Sequence, residues 1–118
     1  MKGELHRARG WLHDAEHICV MSHTSPDGDA VGSVLGLTWA LRGVGKRVTP
    51  ALPDDVPKTF AFLPGTAEVT QGVPADADLL VALDTADVSR LGLLGRELAR
   101  PIDINIDHHI SNTHFASI

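Results

Sequence analysis

Three short apolar runs constrain the fold of this sequence most. They are ICVMS at 18–22, DLLVALD at 78–84 and PIDINID at 101–107. Each run has the length of a buried strand and is too short for a buried helix. The segments between them carry apolar side chains at three- and four-residue spacings, as helices do. This alternation predicts a parallel sheet with helices packed on it.

The remaining elements follow from the same patterns. Residues 3–17 are predicted to form a helix, and a second helix is expected from Asp29 to Gly43 or Gly45, since glycine adopts the left-handed conformation of a helix end. The other segments are predicted to be a strand at 46–52, a Pro-rich loop with one helical turn at 53–65, a short strand at 67–72 and a helix at 88–98 weakened by Gly92 and Gly95.

Together these elements predict a doubly wound, Rossmann-like α/β domain with helices on both faces of its sheet. The glycines at four-residue spacing between 28 and 36 would share one helix face, and we expect that face to approach the sheet closely. The alternating isoleucines Ile102, Ile104 and Ile106 of 101–107 are expected to lie on one face of the last strand.

Composition is typical of one small globular domain. The chain has 118 residues, of which 43% are hydrophobic and 21% charged. No secretory signal or membrane span is predicted, and the single, apolar-flanked Cys19 indicates a reducing compartment, the cytoplasm. A net charge of −5 with scattered cations disfavours binding to long duplex nucleic acid.

Acidic and imidazole side chains directly follow three predicted strands. Because the carboxyl ends of parallel strands share one edge of a sheet, we expect these side chains to converge there. They are His23, Asp27, Asp29, Asp84, Asp87, Asp107, His108 and His109.

Converging carboxylates repel one another, and a divalent cation removes that conflict. Aspartate oxygens combined with imidazoles suit Mn²⁺, Zn²⁺ or Co²⁺, and Mg²⁺ where imidazoles are fewer. Five or six candidate ligands favour two ions, roughly 3.5–4 Å apart with a bridging carboxylate. Asp84, at the end of a central strand, is the predicted bridge.

Each cluster also has a purely structural interpretation. Asp27 and Gly28 could form an ordinary turn, Asp84 could cap the helix that follows it, and the paired histidines at 108–109 could belong to a surface loop. An EF-hand is excluded, because the twelfth residue counted from Asp27 is Thr38 rather than Glu.

A separate H-x-x-E-H pattern at 13–17 matches inverted zinc proteases. Such a site needs a further acidic ligand from another helix, and Glu97 is the only loose candidate. A solvated helix end is the favoured interpretation of this pattern.

Three segments in this order resemble the DHH phosphoesterase superfamily. They are HTSPDGDAVGS at 23–33, LVALDTAD at 80–87 and NIDHHISNTHF at 105–115. The DGDA and DHHISN forms are most similar to the nanoRNase/pAp-phosphatase branch, the bifunctional oligoribonucleases and 3′-phosphoadenosine-5′-phosphate (pAp) phosphatases. Family II pyrophosphatases tend to have D-T-D in the first of these segments.

The resemblance implies two metal ions, usually Mn²⁺, with Mg²⁺ or Co²⁺ as alternatives. His23, Asp27 and Asp84 would hold the first ion. Asp29, Asp84 and His108 would hold the second, so that Asp84 bridges the two. The ions would activate a water and stabilise charge on the phosphoryl oxygens.

The resemblance also assigns His109 to the substrate phosphate and Asp107 to support from behind the ligands. The implied enzyme hydrolyses short oligoribonucleotides or pAp. Alternatives are an enzyme of the same superfamily that acts on cyclic dinucleotides or pyrophosphate, and a non-catalytic module that binds metal and nucleotide.

The family also has a fourth-motif aspartate and a C-terminal substrate-binding domain, which residues 1–118 do not contain. The resemblance therefore implies an N-terminal DHH phosphoesterase domain, truncated before the last strands of the sheet. Its second ion is expected to bind weakly, and the chain to be inactive alone unless a neighbouring subunit of a homodimer supplies the missing ligand.

Overall fold

A four-stranded parallel sheet organises the chain. The computed structural model describes residues 2–118, and its strands are β1 (His17–Met21), β2 (Arg47–Ala51), β3 (Leu79–Leu83) and β4 (Ile104–Ile106). Its α-helices are α1 (Lys2–Asp14), α2 (Gly28–Gly43) and α3 (Leu93–Arg96). All neighbouring strands pair in parallel in the order β2-β1-β3-β4. The predicted α/β fold is confirmed.

Each face of the sheet carries a buried apolar cluster. Successive residues of the central strands point to opposite sides and so contribute to both clusters. Ile18 and Val20 of β1 belong to a core cluster with Val31 and Val34 of α2. Cys19 and Met21 of β1 belong to a second cluster on the other face. That cluster also includes Leu80, Ala82, Leu91 and Leu94. Burial raises the pKa of the Cys19 thiol to about 12, so the thiol stays protonated.

Helix α2 begins at the end of the loop after β1. Asp27 is its N-cap and accepts a hydrogen bond from the Ala30 N–H at 2.9 Å. The buried face of the helix carries branched residues at three- and four-residue spacings. Gly32 and Gly36 lie on the exposed side with open space around them, so the predicted approach of the glycine face to the sheet is wrong.

The second half of the chain departs from the sequence predictions in three places. Residues 67–72 form no strand, and only Thr70 makes a bridge, to Ala51. The helix expected at 88–98 is a 3₁₀ turn, Val88–Leu91, followed by α3, because the chain turns at Gly92 with φ of 54°. A bend at Asp103 places Ile102 in the cluster opposite to that of Ile104, so these two isoleucines do not share a face.

The H-x-x-E-H segment does not lie on one helix. Helix α1 ends at Asp14, and His17 is the first residue of β1. His13 is exposed, as the solvated interpretation predicts, but His17 is buried, with its Nδ1 3.1 Å from Asp76 Oδ1 and its Nε2 2.7 Å from Thr49 Oγ1. The two histidines therefore lie in different surroundings and share no site.

Among residues 2–118, no helix combines the length and apolar character that crossing a membrane requires.

Candidate metal centre

The loops after β1, β3 and β4 enclose a cavity of about 620 Å³ at one edge of the sheet. The strand order places the reversal of winding between β1 and β3, which is where open parallel sheets bind ligands. Six of the seven residues to which the resemblance assigns a role line this cavity, and so does Asp87. The six are His23, Asp27, Asp29, Asp84, His108 and His109.

His23, Asp27 and Asp84 bring their ligand atoms within 4.8 Å of one another. His23 Nε2 lies 3.4 Å from Asp84 Oδ2 and 3.9 Å from Asp27 Oδ1. The other ring nitrogen, Nδ1, lies 2.7 Å from the Thr24 carbonyl oxygen, which can only accept, so Nδ1 carries the proton. In the neutral ring, Nε2 therefore directs a lone pair at two carboxylates, which a cation between them would stabilise.

The backbone fixes Asp84 in an unusual conformation. Its φ is 53°, in the left-handed region that residues other than glycine rarely adopt. The Asp84 N–H donates to the Ile106 carbonyl at 2.9 Å, and the hydroxyls of Ser22 and Thr85 donate to the Leu83 carbonyl. Strain of this kind costs about 1–3 kcal/mol and is concentrated at functional sites.

The Asp84 carboxylate lies between two histidines. Its Oδ2 faces His23, and its Oδ1 lies 3.0 Å from His108 Nε2. Two groups of convergent ligand atoms share this carboxylate, one with His23 and Asp27 and the other with Asp107, His108 and His109. A carboxylate with one oxygen toward each group has the geometry of a bridging ligand.

Asp107 lies behind the cavity and contacts His109. Its side chain is 1% exposed, and it accepts hydrogen bonds from His109 Nδ1 and, at 2.8 Å, from Asn112 Nδ2. Desolvation alone would raise the pKa of Asp107, but the bonds from Asn112 and His109 outweigh it and lower the pKa. The ionised carboxylate fixes the His109 ring and leaves its Nε2 free for a ligand.

The structural interpretations of these aspartates are resolved differently for each. Asp87, not Asp84, caps the turn after β3, because Asp87 Oδ1 accepts from the Ser89 N–H at 2.8 Å. Asp27 both caps α2 and faces His23. Asp29 lines the cavity from the first turn of α2 but belongs to neither group of convergent ligand atoms.

Three further residues at this edge were not singled out by the sequence. Arg90 is the only Lys or Arg among residues 2–118 that lines the cavity, and it forms no salt bridge with a described residue. Asn105 and Asn112 hydrogen-bond to one another behind the ligands at 2.7 Å. Their position beside the Asp-His-His segment at 107–109 was the available signal, but amides in a loop are too common for it to be specific.

The donor set fits a divalent cation of intermediate hardness. It combines carboxylate oxygens with imidazole nitrogens and contains no thiolate, because Cys19 lies in the core. His23 Nδ1 donates to a backbone carbonyl, the usual arrangement for a ligating histidine, since it fixes the ring and its tautomer. His23, Asp27, Asp84 and His108 are the residues best arranged to hold metal.

Known proteins match the chain over this whole region. Residues 17–117 match the family model described as "DHH family, N-terminal domain". A curated relative, the "Bifunctional oligoribonuclease and PAP phosphatase NrnA" of Thermus thermophilus, is 39% identical over 107 residues, which cover 86% of this chain and 30% of the relative.

A solved structure shares the fold. It is the crystal structure of an exopolyphosphatase-related protein from Bacteroides fragilis, which superposes with a TM-score of 0.90 at 27% identity and covers all of this chain. The chain therefore spans 38% of the Bacteroides fragilis protein and 30% of the Thermus thermophilus relative. On the strength of the family match over residues 17–117, the chain belongs to the DHH family.

Proposed function

We propose that the chain carries the catalytic metal centre of a phosphoesterase that hydrolyses short oligoribonucleotides, pAp or both. The observation that carries this proposal is the Asp84 carboxylate, with one oxygen facing His23 and the other facing His108. Asp27 and Asp29 line the same cavity. The name of the Thermus thermophilus relative supports the substrate class.

Two divalent ions, Mn²⁺ by preference and Mg²⁺ or Co²⁺ as substitutes, would occupy this cavity. His23, Asp27 and Asp84 would hold one ion, and Asp29, Asp84 and His108 the other. When bound, the ions supply a nucleophilic water and neutralise charge on the phosphoryl oxygens. Asp29 would join the second ion from the N-terminal turn of α2, where it already borders the cavity.

His109 and Arg90 would bind the phosphate itself. Asp107 fixes the His109 ring through Nδ1, which leaves Nε2 to donate to a phosphoryl oxygen when protonated. Arg90 contributes the cavity's single Lys or Arg charge among the described residues, and its guanidinium is free to pair with an anion. The net charge of −5 makes small phosphate esters better substrates than long duplexes.

The chain corresponds to an N-terminal domain, so we propose that other parts of the complete protein grip the nucleotide. The coverage of 30% and 38% of the two similar proteins supports this division of labour. We also propose a cytoplasmic location, in which the buried free thiol of Cys19 remains reduced.

The test is hydrolysis of an RNA dinucleotide and of pAp, with and without Mn²⁺, by the protein continued to the length of its relatives, with pyrophosphate as a third substrate. We expect Mn²⁺-dependent release of nucleotide or phosphate that Asp84→Asn abolishes. His13→Ala, which removes an exposed histidine remote from the cavity, is the matched control and should leave turnover unchanged.

Each substrate arm discriminates between candidates. Turnover of pyrophosphate alone would replace the proposed substrate with that of a pyrophosphatase. Mn²⁺ binding without turnover of any substrate, in a protein continued to the length of its relatives, would indicate a non-catalytic binding module. Turnover by residues 1–118 alone would mean that the site is completed without further chain, for instance by a neighbouring subunit.

A further inference from the structure

We infer that Asn105 and Asn112 are positioning residues, which together lock the Asp84 turn and the Asp107–His109 pair into one arrangement. This inference rests on the proposed function, because it concerns the ligands and the phosphate contact named there. Neither asparagine lines the metal cavity.

Asn105 hydrogen-bonds to the backbone on both sides of Asp84, in the strained turn after β3. Its Nδ2 group donates to the carbonyl oxygens of Ala82 and Thr85, each at 3.1 Å. These two carbonyls flank Asp84, whose left-handed backbone conformation needs outside support. The side chain of Asn105, on β4, therefore holds the end of β3 in the conformation that directs the Asp84 carboxylate at the histidines.

Asn112 continues the connection to the phosphate side. Its Nδ2 donates to Asn105 Oδ1 at 2.7 Å and to Asp107 Oδ2 at 2.8 Å, and its Oδ1 accepts from the His114 N–H at 2.7 Å. Asp107 in turn accepts from His109 Nδ1. One hydrogen-bonded chain thus runs from the β3 turn to His109.

The orientation of both amides is fixed by their neighbours. The carbonyls of Ala82 and Thr85 can only accept, so the amide group of Asn105 that faces them is NH₂. A backbone N–H can only donate, so Asn112 presents its oxygen to His114 and its NH₂ to the Asp107 carboxylate. All four amide hydrogens are used, and neither side chain can flip without leaving acceptors facing acceptors.

Each asparagine has a different expected effect. Asn105→Ala releases the Asp84 turn, so the dissociation constant for Mn²⁺ should rise about 10- to 100-fold, the usual cost of removing an outer contact of a metal site. Asn112→Ala leaves the grip of Asn105 on the turn in place but frees Asp107 and His109. It should lower kcat about tenfold or more while Mn²⁺ binding changes less than in Asn105→Ala.

The experiment is a calorimetric titration with Mn²⁺ of the protein continued to the length of its relatives, paired with kinetics of that protein at saturating Mn²⁺. Excess Mn²⁺ should restore most of the kcat of Asn105→Ala but little of that of Asn112→Ala, a split that a general loss of stability would not produce. Asp103→Asn is the matched control. Asp103 lies two residues before Asn105 in the chain. Its carboxylate accepts hydrogen bonds from the Leu80 N–H and from Arg100, which are remote from the cavity, so its substitution should leave the Mn²⁺ affinity unchanged.

Folded variants that bind Mn²⁺ within twofold of the wild type and keep its kcat would overturn the inference. So would an equal loss of affinity in Asp103→Asn. If Asn105→Ala does not fold, Asn112→Ala alone tests the inference: a lowered kcat supports it, and an unchanged kcat overturns it. A wild-type protein that binds no Mn²⁺ would instead overturn the proposed function, and this inference with it.

Discussion

Asp84 combines a backbone conformation that aspartate rarely adopts with a carboxylate that two histidines face. Its φ of 53° and its 9% side-chain exposure are both unfavourable for an acidic residue. The surrounding hydrogen bonds from Ser22, Thr85 and Asn105 to the adjacent carbonyls maintain the turn. These bonds hold one carboxylate in place despite the strained backbone, as its proposed role of bridging two metal ions would require.

We therefore predict that Asp84→Gly makes the metal-free protein more stable while removing its metal-dependent activity. Glycine adopts a φ near 53° without strain, so the free energy of unfolding should rise by about 1 kcal/mol. Urea denaturation in the presence of a chelator measures this. Asp87→Gly, three residues on, removes a cap at an ordinary φ and should lower stability instead. A free energy of unfolding below that of the wild type in Asp84→Gly would contradict this prediction.

Arg90 offers a second test at the scale of one side chain. Because it is the only Lys or Arg lining the cavity among residues 2–118, Arg90→Ala should weaken substrate binding and raise KM about 10- to 100-fold, the usual value of a hydrogen bond to a charged group. Arg96→Ala, an exposed arginine of α3 outside the cavity lining, is the control. Equal KM values for the two variants would remove Arg90 from the phosphate site.

At the scale of elements, the 3₁₀ turn Val88–Leu91 packs against the loop that carries His23. The Thr24 N–H donates to the Arg90 carbonyl at 2.7 Å, and a Cβ at Gly92 would lie 2.7 Å from Thr24 Cγ2. Gly92 also has a φ of 54°. Gly92, which weakens the helix predicted from the sequence, therefore allows the turn Val88–Leu91 to contact the loop that carries His23 and Thr24.

Gly92→Ala should consequently lower the free energy of unfolding by about 1–3 kcal/mol, from the strained φ and the contact with Thr24. Gly36→Ala is the matched substitution. It lies in the middle of α2 with open space around it, so alanine there should stabilise the protein by about 0.5–1 kcal/mol. Thermal denaturation of both variants checks the signs, and a stabilised Gly92→Ala would contradict the close packing.

The elements were predictable where one physical pattern dominates. The buried runs of β1 and β3, and the apolar face of α2, follow from periodicity alone. Periodicity failed where a single contact decides the structure. The glycines of α2 face solvent because the branched residues between them occupy the buried face of the helix. Ile102 lies on the opposite face from Ile104 because the chain bends at Asp103, whose carboxylate accepts a hydrogen bond from the Leu80 N–H.

The candidate site was predictable for a similar reason. Parallel strands carry whatever follows them to one edge, so six of the seven residues to which the resemblance assigns a role line one cavity, and so does Asp87. The outer contacts were not predictable. Asn105 bonds to Ala82 and Thr85, which are distant in sequence, whereas Asn112 bonds within its own loop, where polar side chains are common. Arg90 is distinguished only by lining the cavity without a salt bridge to any of residues 2–118.

At the scale of the whole molecule, the two edges of the sheet have different roles. The edge opposite the cavity is fixed by Asp78, whose carboxylate accepts from the N–H groups of Glu16 at 2.9 Å and His17 at 2.8 Å. Desolvation acts to raise the pKa of Asp78, but these bonds outweigh it and hold the pKa below its ordinary 3.8. The ionised form therefore stabilises the fold.

The sign of the resulting pH dependence follows from that lowered pKa. The stabilisation is complete above the ordinary value of 3.8 and is lost as the pH falls through the lower native value. Asp78→Asn should cost about 1 kcal/mol at pH 7 and progressively less toward pH 3. Urea denaturation at both pH values, with the exposed Asp14→Asn as control, measures the difference. A cost that is constant with pH would contradict this role.

The central claim is that the Asp84 carboxylate bridges two metal ions. Electron paramagnetic resonance of the protein at millimolar Mn²⁺ tests it most directly, because two ions about 3.5–4 Å apart are magnetically coupled. We predict two ions per chain with a coupled signal, which Asp84→Asn replaces with the signal of an isolated ion or none. A wild-type protein without bound Mn²⁺, or a coupled signal that survives in Asp84→Asn, would contradict the account.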